Sequence, residues 1–133
     1  MKITSYVGYD EGVAYVPEYA NNRELPEEEQ IVVYLKPLTR KATDRYRRMM
    51  RVKSEGKRKN AEWKTNEAEI QQKTFIENVL KVSNLQIEVV AEKKILDKPT
   101  PEEVYLHAED ALIVEILNAL QDSSVLEEGT KKH

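Results

Sequence analysis

Residues 31–35, IVVYL, are apolar without interruption, and such a run reads as a strand covered on both faces. It stops at Lys36-Pro37-Leu38-Thr39, where proline has no amide to give to a ladder. Thr39 suits a helix N-cap, because its hydroxyl can accept from a free amide of the next turn. Ala42, Tyr46, Met49 and Met50 then recur at helical spacing, with Arg45, Arg47, Arg48 and Arg51 mostly on the other faces. The spacing predicts a basic helix over 39–54, and Gly56 stands where a C-terminal stop belongs.

Upstream, residues 1–35 read as mainly β. Ile3, Ser5 and Val7 alternate with Thr4 and Tyr6, a period-two pattern. Asp10-Glu11-Gly12 signals a turn, Val13 to Val16 can return as a second strand, and Pro17 ends it. Residues 18–30 read as a polar surface loop with a helical turn started by Pro26.

Downstream, residues 55–64 read as a mobile basic connector anchored by Trp63. A second helix is predicted from Thr65-Asn66, with Asn66 and Glu69 at capping-box spacing. Its stripe of Phe75, Ile76, Val79 and Leu80 extends to Val82. Leu85, Ile87 and Val89 suit a short strand, and residues 91–98 read as a charged loop. Thr100-Pro101-Glu102-Glu103 is the clearest helix start, with an N-cap threonine, proline at N1 and glutamates at the positive end of the dipole. That helix runs to about His107. Another, from about Glu109 to Ser123, presents Leu112, Ile113, Ile116, Leu117 and Leu120 to a core. The region 65–123 is thus mainly helical, and 124–133 reads as a flexible tail. Together these elements predict one α+β domain over 1–133: a small antiparallel N-terminal β-sheet or hairpin followed by three or four α-helices.

Composition changes this picture mainly through charge. The chain of 133 residues is 40% hydrophobic and 34% charged, and its net charge is −3. Residues 40–59 hold ten basic side chains against Asp44 and Glu55, giving +8; the rest, with eleven basic and twenty-two acidic, carries −11. Such a polarised molecule suits recognition of distinct partners, or of the acidic surface of a second copy, so a homo-oligomer is left open. No apolar run approaches the ~20 residues that span a bilayer, so no membrane partner is expected. The opening MKITSYVGYDEG has no apolar core of a signal peptide. Without cysteine there is no disulfide framework, thiolate metal site or thiol nucleophile, which suits a reducing cytoplasm.

Candidate chemistry is sparse. His107 reads as a helix-end residue and His133 as part of the tail, so no metal or other cofactor is expected. Gly8, Gly12, Gly56 and Gly129 are too dispersed for a phosphate loop. Ser83 and Ser123-Ser124 have no acid–base partner at readable spacing, and Glu27-Glu28-Glu29 reads as a solvated acidic loop. The expectation is a protein that is not an enzyme. The basic segment allows three readings: a solvated face, a docking surface for protein, or a nucleic-acid site in which Tyr46 or Trp63 stacks on bases. Nucleic acid is disfavoured, because one face of this helix is a core face and the rest of the chain repels a polyanion.

An apolar strand, then KPLT, then a charged helix TRKATDRYRRMMR resembles the tail assembly chaperones of long-tailed, siphovirus-like bacteriophages. The order of parts is also similar: an early β segment ending at Tyr15-Val16-Pro17, a helix NEAEIQQKTFIENVLKV, the TPEE helix start, the apolar helix and the ending SSVLEEGTKK. The resemblance implies a non-enzymatic protein that binds the tail tube protein and the tape-measure protein in the cytoplasm of an infected host or a lysogen, and that is absent from the mature virion. It supplies no catalytic residues and no binding motif that maps residue by residue. The candidate partner contacts are therefore those of the basic segment itself: Arg45, Arg47, Arg48, Arg51, Met49 and Trp63. The rival expectations are a structural virion component, such as a tail or head–tail completion protein, and a small nucleic-acid-binding regulator using residues 40–59.

Overall fold

The computed structural model describes residues 1–55 and 60–130, and side chains outside 51–55 and 60–66. The α+β class holds. Strands β1 (Val13–Tyr15), β2 (Val32–Leu35) and β3 (Val79–Ser83) form an antiparallel sheet in the order β1-β2-β3. Its centre is the apolar run read from the sequence: Val32, Val33 and Leu35 are buried, as continuous apolarity requires. Val33 lies opposite Tyr15 on one side and Val82 on the other. A second, two-stranded sheet pairs β4 (Ile87–Val89) with β5 (Lys94–Leu96).

The helices are α1 (Arg40–Glu55), α2 (Asn60–Asn78), α3 (Pro101–His107), α4 (Asp110–Gln121) and α5 (Ser123–Gly129). Helix α3 starts as the sequence predicts: the Thr100 hydroxyl accepts from the Glu103 amide while the Glu103 carboxylate accepts from the Thr100 amide. Helix α4 buries all five predicted apolar residues, together with Ala119. They join Tyr15, Leu35, Phe75 and Val104 in the core. The Pro37 break also has a structural role. Lys36 N–H still donates to the Asn78 carbonyl at 2.8 Å, but Leu38 N–H turns away to the Leu120 carbonyl of α4 at 3.1 Å. The start of α1 is thereby tied to the main helix of the core.

Several expectations are corrected. Residues 3–7 form no strand, and Ile3 and Val7 are exposed; the outer edge of β1 is instead met by the C-terminal segment, where Val16 N–H donates to the Gly129 carbonyl and Tyr15 bridges Thr130. Residues 60–64 belong to α2, not to a connector, and Asn66 is not its cap; NAEWKTN holds neither glycine nor proline to stop a helix. Residues 56–59, with Gly56, lie outside the described residues. At its far end α2 stops at Asn78, and Val79–Ser83 is a strand although its apolar spacing fits a helix. Beta-branched Val79 and Val82 accept either geometry, and the unpaired edge of β2 supplies the ladder partner that decides it.

The charged loop over 91–98 contains β5. A short 3-10 turn at Val90–Glu92 and a left-handed Lys93, at φ 52°, close the hairpin. The tail is not free up to residue 130: Asp122 caps α5 through the Ser124 amide, and Leu126 is buried. Gly129 is required there, since a Cβ would sit 2.2 Å from the Tyr15 ring. Residues 131–133 lie outside the described residues.

The polar loop at 18–30 does carry the helical turn after Pro26, as Glu27–Glu29. It is held more firmly than a solvated loop. Buried Asn22 donates to the Pro17 and Ile31 carbonyls and accepts from the Ile31 amide at 2.7 Å. Glu115 of α4 accepts from the Tyr15 hydroxyl and from the Glu18 and Tyr19 amides. Burial first, then this bond to Glu115, pushes the Tyr15 phenol above its ordinary value of 10.0.

Candidate partner-binding face on helix α1

Thr39 caps α1 as expected, accepting from the Ala42 amide at 3.3 Å. Among the described side chains of α1 only Tyr46 is buried, while Ala42, Met49 and Met50 are half-buried. Among the described side chains, a polar cluster joins α1 to α2. The Tyr46 hydroxyl donates to the Glu77 carboxylate at 2.6 Å and accepts from the Asn78 amide group at 2.9 Å. Asn78 also donates to the Thr74 carbonyl, and the Thr74 hydroxyl to the Ile70 carbonyl. Glu77 takes Arg45 at 3.4 Å and Lys73 at 3.3 Å as ion-pair partners. The hydrogen bond from Tyr46, ahead of the two cations, holds the Glu77 carboxyl below its ordinary value of 4.5. Burial, then Glu77, raises the Tyr46 phenol above 10.0.

This clamp sorts the candidate residues. Arg45 packs over the Tyr46 ring, 4.9 Å from its centroid, and is committed to Glu77, so it stabilises the α1–α2 contact. Arg47 pairs loosely with Asp44, one turn earlier, at 3.8 Å. Arg48 is exposed and has no ion-pair partner among the described residues. Met49 is half-buried. The Arg51 and Trp63 side chains lie outside the described residues. The structure thus brings Arg47 to an open face near Met50, while Arg45, though exposed, is paired with Glu77.

Beside that face, α1 and α2 bound a cleft of about 400 Å³ lined by Leu38, Tyr46, Arg47, Met50 and Ile70, among others. Its walls mix these apolar side chains with Thr43, Glu67, Gln71, Thr74 and Gln121, and a flexible methionine among them suits an adaptable protein contact. Sequence reasoning passes over Glu77 and Asn78, because only the fold brings them to Tyr46. It also passes over Arg40 and Lys41 as contact residues. Their signal is present in the sequence: two cations and no carboxylate in the first helical turn, against the helix dipole.

Among the described residues, no group of three or more histidines and carboxylates could hold a metal ion, and no helix is long and apolar enough to cross a membrane. Comparison with protein-family models, with curated proteins and with solved structures finds no match to this chain.

Proposed function

We propose that this chain is a non-enzymatic, protein-binding chaperone of phage tail assembly, which keeps the tail tube protein, the tape-measure protein or both soluble before the tail polymerises. The observation that carries the reading is the open face of α1, where Arg48 is exposed and Arg47 lines a cleft of mixed polar and apolar character that also includes Leu38, Met50 and Ile70. Such a face can cover apolar surface on a partner and set orientation by charge. The strand–KPLT–basic-helix order of residues 31–51 supports the particular partners. Co-expression with the tail tube protein of the same gene cluster tests it. The expected result is a soluble tube protein that is captured with this chain. Failure to capture it, with unchanged tube polymerisation, rejects the reading.

A further inference from the structure

A second cleft of about 400 Å³ opens at the start of α1, between residues 6–10 and the segment from Lys36 into the helix. Four cations line it: Lys36, Arg40, Lys41 and Arg45. Asp10 is the one carboxylate among the lining residues. Arg45 is committed to Glu77, and Lys36 meets Asp10 at 3.4 Å. Arg40 and Lys41 are exposed and have no ion-pair partner among the described residues. Their position costs stability, since cations at the positive end of a helix are repelled by its dipole. A local rule broken without a compensating contact marks a place shaped by something besides folding.

The opposite wall is of another kind. Tyr6 and Tyr9 stand with ring centroids 6.1 Å apart, and Val7 beside them is 77% exposed. A ligand in this cleft meets positive charge on one side and aromatic and apolar surface on the other. The chain itself shows the chemistry the cationic wall takes: the Asp10 carboxylate lies against Lys36.

We propose that this cleft receives an acidic segment of a partner protein, its carboxylates against Arg40 and Lys41 and an aromatic or branched apolar side chain against Tyr6, Tyr9 and Val7. The charge that selects this occupant is local. The −11 carried by the chain outside residues 40–59 opposes a long nucleic-acid strand, and a bare phosphate leaves the apolar wall unused. The proposal rests on the protein-binding reading above and names the kind of sequence that is bound.

The full chain is titrated against three short labelled peptides: glutamate-rich with one tyrosine and one leucine, the same with lysines for glutamates, and the same glutamates with both apolar residues replaced by alanine. The first binds, binding weakens with salt, and the other two bind at least about tenfold more weakly, the scale of one lost charge-assisted contact. Arg40→Glu/Lys41→Glu weakens the first peptide by a similar factor while Tm stays level or rises by about 1–4 °C, because the helix dipole now favours its first turn. That opposite movement separates loss of a site from loss of the fold. Equal binding of the lysine peptide, no binding of the acidic one, or an unaffected double variant overturns the proposal. So does binding of pyrophosphate or oligouridine, sensitive to the double variant, where the acidic peptide is silent. If the peptide binds but tube protein stays insoluble, the chaperone reading falls and the cleft assignment stands; soluble tube protein with no peptide binding gives the reverse.

Discussion

Of the twelve residues of α4, six are buried in the core; of the described side chains of α1, one is. The two helices are both amphipathic, yet they are kept in place by different forces. Helix α4 is held mainly by area removed from water, which is non-directional, with Glu115 adding hydrogen bonds to Tyr15 and to the Glu18 and Tyr19 amides. Helix α1 is held at Tyr46 by a cluster of hydrogen bonds and ion pairs whose strength depends on geometry and protonation. The lesson is a division of labour. The helix whose apolar stripe is spent on the core has little left to offer a partner, while the helix pinned at Tyr46 leaves Arg40, Lys41, Arg45, Arg47 and Arg48 exposed among its described side chains.

The sharpest way to break this comparison is to damage each helix at its anchor. Ile116 is fully buried, and Ile116→Ala removes core volume from α4; the expected cost is about 2–5 kcal/mol of global stability, read from denaturant unfolding. Tyr46→Phe keeps the ring but deletes the hydroxyl shared by Glu77 and Asn78. It leaves a buried amide donor short of a partner, and the expected cost is about 1–3 kcal/mol. The two losses should also differ in extent. Hydrogen exchange should rise across the core for Ile116→Ala, and mainly along α1 and the facing part of α2 for Tyr46→Phe. If Tyr46→Phe unfolds the molecule as broadly as Ile116→Ala, α1 is no separate unit.

The same contrast explains what could be read from the sequence. Helix α4 and the TPEE start of α3 were legible because their signals are local: an apolar stripe, a threonine cap, a proline at N1. Strand β2 was legible because a continuous apolar run has few other uses. The errors fall where the deciding partner is distant in sequence. Val79 and Val82 fit a helical stripe, and only the open edge of β2, more than forty residues earlier, makes them a strand. Residues 3–7 alternate like a strand but find no ladder, because Gly129 and Thr130 occupy the edge of β1. In the candidate face, the arginines were visible but not their engagements. Arg45 and Arg48 look equivalent in the chain, and only the arrival of Glu77 commits the first and leaves the second open.

Proton linkage gives a smaller and more selective test of the α1 clamp. Glu77 has a folded pKa below 4.5, so the folded state favours its charged form. Its contribution is fully present above that value and is lost as pH falls through the lowered folded one. Stability should therefore decline on acidification below about pH 4.5, and Glu77→Gln should flatten part of that decline. Tyr46 has the opposite sign: its pKa is raised, so its contribution is full below pH 10 and fades as the solution becomes more alkaline. Ile116 carries no titratable group, so the effect of Ile116→Ala should show no such dependence. A pH-independent difference between wild type and Glu77→Gln would remove Glu77 from the clamp.

The smallest expected effect on stability is at Arg48, and its smallness is the point. The side chain is exposed and unpaired among the described residues, so Arg48→Glu should change unfolding free energy by no more than about 0.5 kcal/mol. Arg45→Glu, by contrast, sets a carboxylate against Glu77 and should cost more. If α1 is open because it serves a partner, Arg48→Glu should weaken capture of the tail tube protein while leaving the melting curve in place. Arg45→Glu should reduce capture only in step with lost stability. The pair separates a docking role from a merely solvated face. Equal capture by wild type and Arg48→Glu would assign the outer arginine to solvent and move the search for the partner to the cleft at Arg40 and Lys41.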